Sequence, residues 1–135
     1  MPMTALLRAS TQARAVPPRQ RVALQLAPEK TVMLPGTSED LRRSREKARR
    51  ATFAGIVRMH VTRPGAYRIG VDRDAWLDIA TEGGRVLDPA PDEATFECDG
   101  VQKVLVYQLP AAGTYWLQIA LSPRRETWLT VIPAD

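Results

Sequence analysis

Arg63-Pro64-Gly65-Ala66-Tyr67-Arg68-Ile69-Gly70-Val71 and Ala112-Gly113-Thr114-Tyr115-Trp116-Leu117-Gln118-Ile119 share one pattern. In each, a Gly stands two residues before a Tyr, and apolar residues then recur at every second position. Gly permits a backbone bend that a Cβ would obstruct, and the Tyr opens a strand with one buried face. Two such entries, 48 residues apart, point to an all-β chain built around two ribbons.

Outward from these ribbons, the period-two reading extends from Phe53 to the end. Val57, Met59 and Val61 face one way, Arg58 and His60 the other. After Tyr67, Ile69 and Val71, the turn Asp72-Arg73-Asp74 leads into a strand with Ala75, Leu77 and Ile79 inward. Gly83-Gly84 closes a hairpin into Arg85-Val86-Leu87. Residues 88–100 read as a loop with Pro89, Pro91 and the acids Asp88, Asp92, Glu93, Glu97 and Asp99. Strands follow at 102–109, 114–121 and 126–132. About eight strands at short spacing predict an antiparallel β-sandwich or jelly roll.

Upstream, residues 1–19 read as a flexible lead-in ended by Pro17-Pro18, with a single sandwich domain over 20–135. Val22, Leu24 and Leu26 share one strand face, and Thr31-Val32-Met33-Leu34 is a second short candidate. Thr37, as cap, with Glu39 and Asp40 in the first turn, predicts a helical insertion over 38–50. Its apolar stripe is only Leu41, Ala48 and Ala51, and six of the nine residues from Arg42 to Arg50 are basic. The expectation is a solvated connecting helix, or a segment that orders on a partner.

With 135 residues, 44% of them hydrophobic, the chain is long enough for one real core without staples. Cys98 is the only cysteine, which excludes an intrachain disulfide. The net charge of +4 is unevenly divided. Residues 1–50 hold 11 Lys/Arg against 4 Asp/Glu, and residues 51–135 hold 8 against 11. A charge-based inference of nucleic-acid binding thus concerns the first third only. No apolar run approaches the length of a membrane span, and the first fifteen residues lack the apolar stretch of a signal peptide, so a soluble chain is expected.

Val104-Leu105-Val106-Tyr107-Gln108-Leu109, then Gly113 to Ile119, then Trp128-Leu129-Thr130-Val131, resembles the end of a bacterial pre-peptidase C-terminal domain. Residues 55–79 resemble that family's earlier half, and the likeness spans roughly 53–132. The set Gly65, Tyr67, Ile69, Val71, Trp76, Leu77, Asp78, with Cys98, Gly100, Val101 and Lys103, is similar to small secreted or periplasmic sandwich proteins. Those often carry a His-rich loop ahead of the Cys; Asp88 to Glu97 contains no His, so no metal role carries over. The resemblance implies an extracytoplasmic accessory domain, and it includes calcium binders.

Chemistry-bearing residues are few. His60 is the only His, which rules out a two-His iron site in one chain and leaves no partner for a catalytic triad. Cys98 stands between Glu97 and Asp99, carboxylates that oppose thiolate formation. Asp72, Asp74 and Asp78, with the loop acids, are candidate calcium ligands; turn and outward strand positions are the alternative. Trp76 and Trp116 sit out of phase with their inward neighbours. Together with Trp128 they would form a platform for a sugar or protein partner, provided the three strands adjoin. Covering of that face by the N-terminal segment or the helix is the competing reading, supported by a last strand apolar on both faces. Arg42, Arg43, Arg45 and Arg49 would meet an anionic partner, but no aromatic residue interleaves them for base stacking, and nucleic acid is not expected. Phosphate-cradling Gly-rich loops are absent. The sequence as a whole predicts a non-enzymatic binding or accessory sandwich recognising protein or carbohydrate through a sheet face, with calcium-stabilised structural and basic-helix alternatives.

Overall fold

The computed structural model describes residues 22–90, 95–96 and 102–133. Ten strands among them form two five-stranded antiparallel sheets. These are β1 (Val22–Gln25), β2 (Ala27–Pro28), β3 (Phe53–Val61), β4 (Gly65–Asp72), β5 (Trp76–Thr81), β6 (Val86–Leu87), β7 (Thr95–Phe96), β8 (Gln102–Leu109), β9 (Gly113–Ser122) and β10 (Glu126–Pro133). The first sheet runs β1-β10-β4-β8-β7 and the second β2-β3-β9-β5-β6. The expected all-β sandwich is the fold.

The two Gly-x-Tyr entries occupy equivalent corners. Gly65 and Gly113 have φ of 143° and 142°, a region closed to residues with a Cβ. The Tyr67 hydroxyl donates to the Arg63 carbonyl at 2.7 Å, and the Tyr115 hydroxyl to the Ala111 carbonyl at 2.6 Å. Each ring therefore ties its strand to the turn four residues back. The corners are also neighbours, because β4 pairs with β8 and β3 with β9, matching Gly65 to Leu109 and Gly113 to Val61. Two crossings between sheets thus sit side by side at one end of the sandwich.

Between the sheets, Val57, Met59 and Val61 with Leu77, Ile79, Leu117 and Ile119 meet Leu24, Ile69, Val71, Tyr107, Leu109 and Leu129. All are buried, as strand alternation requires. The second sheet, however, is buried on both faces. Ile56, Asp78, Ala80, Gln118 and Ala120, which alternate with the inward set, are also 8% exposed or less. Their cover is a strap over residues 29–38 followed by helix α1 (Glu39–Lys47).

Polar contacts hold the strap. Gln118 Oε1 accepts from Gly36 N at 2.9 Å, and Gln118 Nε2 donates to Gly36 O at 2.6 Å, so one side-chain amide satisfies both peptide groups. Gly36 is required by space, since a Cβ there would overlap the Gly84 carbonyl oxygen. Ser38 Oγ donates to Asp78 Oδ2 at 3.0 Å and accepts from Leu41 N at 3.1 Å. At the strap's start, Glu29 Oε1 accepts from Thr52 Oγ1 and Leu121 N, and Oε2 stands 2.9 Å from Arg45 Nε. Leu121 delivers that N–H from the left-handed region, at φ 54°.

Two details of the helix differ from the sequence reading. Ser38, not Thr37, is the N-cap, because Ser38 has Asp78 to donate to while it accepts from the helix. The helix stops at Lys47, where Ala48 turns extended, so Ala48 and Ala51 are exposed and the stripe reduces to Leu41, which is fully buried. α1 is part of a docked third layer.

Truncating the amide should release this layer. Gln118→Ala leaves the Gly36 N–H and C=O buried without partners and is expected to cost about 3 kcal/mol in urea unfolding. Exposed His60→Ala, on the same face but beyond the strap, should stay within about 0.5 kcal/mol.

Candidate functional site

On the other sheet, the outward face carries a cleft. β1 and β10 pair with Ala23 opposite Trp128 and Gln25 opposite Glu126. Alternation sends these four outward while Leu24 and Leu129 enter the core. Asp72 ends β4 one residue after Val71, the partner of Leu129, and so falls in line with Trp128. The β9–β10 turn brings in Arg124. Its backbone N–H donates to Ser122 Oγ at 3.2 Å, and that hydroxyl donates to the Arg124 carbonyl at 2.7 Å. The guanidinium then pairs with buried Asp72 and lies 3.5 Å from Asp74. Asp74 N in turn donates to Asp72 Oδ1 at 2.9 Å.

The result is a cleft of about 550 Å³ bounded by Ala23, Gln25, Asp72, Arg124, Glu126 and Trp128. It combines a half-buried indole, an oriented Asp–Arg pair, and an exposed carboxylate and amide. The hydrogen bond to Asp72, and after it the charge of that carboxylate, holds the Arg124 guanidinium even more firmly protonated than usual. Thr127, also in the wall, keeps a buried hydroxyl with no hydrogen-bond partner.

The three tryptophans do not form one platform. Trp76 and Trp116 lie on the outer face of the second sheet, where their β-partners are Ala120 and Ala80. Trp128 lies on the outer face of the first, across the full thickness of the sandwich. Both Trp76 and Trp116 are half-buried. The Trp116 Nε1 donates to the Glu82 carbonyl at 3.3 Å, and the Arg58 guanidinium stands 5.9 Å from its ring centre. The strand parity of Trp76 and Trp116 was legible; the membership of Trp128 in the opposite sheet was not.

Nor are the candidate calcium ligands one group. Asp72 and Asp74 share Arg124, a cation already in place, and Asp78 faces the strap from the other sheet. Among the described residues no group of three or more His, Cys, Asp or Glu side chains is gathered as a metal would require. Of the basic helix, Arg45 is consumed by Glu29 and donates to the Glu29 and Val32 carbonyls. Arg42 pairs with Glu39 and lies 3.7 Å from Glu46, while Arg43 and Arg49 are exposed. His60 is exposed on β3, opposite Thr114. Cys98 and most of the acidic loop, including Asp92, Glu93, Glu97 and Asp99, lie outside the described residues. No helix among the described residues is long and apolar enough to cross a membrane.

Comparison of the chain with protein-family models, with curated proteins and with solved structures gives no match. The cleft therefore has to be read from its own chemistry. Arg124, Glu126 and Gln25 escaped the sequence reading. Ser122-Pro123-Arg124-Arg125 reads only as a turn, and a pairing of residues 72 and 124 leaves no local trace.

Asp78 supplies a pH test of the strap. Burial raises its pKa, and a nearby Asp40 adds to the shift. The Ser38 hydroxyl opposes it, as does the Trp76 indole N–H, although that group closes no well-formed hydrogen bond. A raised folded-state pKa gives stability that is complete below the unfolded value and is lost as pH rises through the folded one. Asp78→Asn, neutral and still able to accept from Ser38, should therefore gain on the parent as pH climbs from about 3 to 8. Urea midpoints across that range check this; a pH-independent difference would contradict it.

Proposed function

We propose that this chain is a non-catalytic accessory domain that binds carbohydrate in the Trp128 cleft. One observation carries the reading: an indole borders a 550 Å³ cleft together with Asp72, Arg124, Glu126 and Gln25. A sugar ring offers an apolar C–H face and a rim of hydroxyls. The indole suits the first, since its flat ring buries large apolar area without a rotamer cost beyond two torsions. The carboxylates, guanidinium and amide suit the second, because charged groups make the stronger hydrogen bonds and Arg presents two parallel N–H donors. A mainly apolar concavity with a few oriented polar groups is what small-molecule recognition requires in general.

Arg124 and Asp72 hold each other in the unliganded protein, which limits the side-chain freedom lost on binding. The ligand class moves from the Trp76 and Trp116 face to the opposite one because the strap crosses the former over Gln118 and Asp78, between the two indoles. The accessory role rests on the resemblance of residues 53–132 to pre-peptidase C-terminal domains.

Titration of intrinsic tryptophan fluorescence with cello-, xylo- and chito-oligosaccharides tests the reading. At least one series should bind saturably. Trp128→Ala should weaken it about tenfold or more, the loss of one aromatic stacking contact and its buried area. Trp116→Ala should leave the affinity unchanged. Saturable binding that survives Trp128→Ala, or no response to any series, would overturn the proposal.

A further inference from the structure

Among the described residues, β3 is paired only at its start along one edge. On one side it pairs with β9 along its whole length; on the other only Phe53 and Ala54 meet β2, and the Glu29 N–H adds one bond to the Thr52 carbonyl at 3.0 Å. The β3–β9 register shifts between Phe53 and Gly55, beside the point where the β2 pairing ends. From Gly55 to Val61, no second strand among the described residues adjoins it. In an antiparallel ladder, alternate residues turn both N–H and C=O toward the same neighbour. Among the described residues, every second residue of this stretch therefore turns both groups toward a side where no strand pairs, a template for another strand.

The flank of this edge is cationic. Arg58 and His60 are exposed on the outer face of β3, and Arg63 follows just beyond its end. At the other end, exposed Arg49 and Arg50 lead into the strand, and the Arg125 guanidinium stands 4.8 Å from the Phe53 ring centre. At the start of the strand the Glu29 carboxylate is engaged by Arg45, Thr52 and Leu121.

We infer that the Gly55–Val61 edge takes up an extended acidic peptide segment as an added strand. Main-chain hydrogen bonds would supply affinity, and alternate acidic side chains opposite Arg58 and His60 would supply selectivity. A second copy of the chain fits less well. Antiparallel self-pairing centred on Arg58 sets two guanidinium groups opposite each other. The edge is distinct from the Trp128 cleft, which belongs to the other sheet, so the two readings stand or fall separately.

The test uses the full chain and two capped nine-residue peptides, one alternating Val and Glu, the other Val and Lys. Backbone amide shifts and hydrogen exchange are followed at Gly55–Val61, with Trp116 fluorescence as a local reporter beside Arg58. The Val–Glu peptide should bind, slow exchange along β3, and lose affinity as salt is raised. Arg58→Glu, an exposed change that should leave the circular dichroism spectrum intact, should weaken that peptide about tenfold and strengthen the Val–Lys one. Equal binding of both peptides, or protection outside β3, would overturn the inference. So would concentration-dependent dimerisation through this edge, or tighter binding of oligothymidylate than of the acidic peptide.

Discussion

The Gln118 amide against Gly36 is the contact on which the arrangement of surfaces depends. A chain segment that crosses a sheet face without joining the sheet must still satisfy its own N–H and C=O. Gln118 presents one acceptor and one donor at peptide spacing, from a position fully buried in the middle of β9. The absent Cβ of Gly36 lets the strap descend until its backbone touches the Gly84 turn. With the strap seated, Ser38 reaches Asp78, and the same hydroxyl caps α1. Leu41 is then carried onto the sheet. Remove the close approach and each later contact loses its geometry.

Glu29 plays the corresponding part where the strap begins. Its carboxylate joins the ends of β3 and β9 to α1 through Thr52, Leu121 and Arg45. Leu121 holds a left-handed backbone conformation to deliver its N–H, which costs roughly 1–2 kcal/mol for a residue with a Cβ. In return the Leu121 N–H gains a charged acceptor, which makes a stronger hydrogen bond than a neutral one. The strap is thus anchored at both ends by polar groups of the second sheet, and its middle carries the buried Val32 and Leu34.

Strand alternation made most of the sandwich legible: Val57 to Val61, Tyr67 to Val71 and Leu77 to Ile79 fall on the face the sequence assigns them. Local chemistry likewise located the helix within a residue at its start, since Ser38 and Thr37 are both competent caps. What alternation cannot convey is the sheet to which a strand belongs. Trp116 and Trp128 have the same local pattern yet point to opposite sides of the molecule, because β9 and β10 lie in different sheets. Long-range polar pairs are equally silent: Gly36 with Gln118 and Asp72 with Arg124 lie 82 and 52 residues apart. Asp78 illustrates the cost. As an outward strand residue it reads as a surface acid, and only the strap makes it a buried one.

The uneven charge of the sequence acquires a spatial meaning in the fold. The described basic residues of the first third do not share one surface. Arg45 is spent internally on Glu29, and Arg42 on its own helix. Arg49 and Arg50 are left where the helix hands over to β3, beside the edge that also carries Arg58 and Arg63. On the opposite sheet the single guanidinium in the cleft is already neutralised by Asp72. The cleft on that face therefore pairs its cation internally, beside the exposed Glu126 and Gln25. Among the described residues, the other rim carries Arg58 and Arg63 along a strand paired fully on one side only, so positive charge and free backbone groups fall on the same edge.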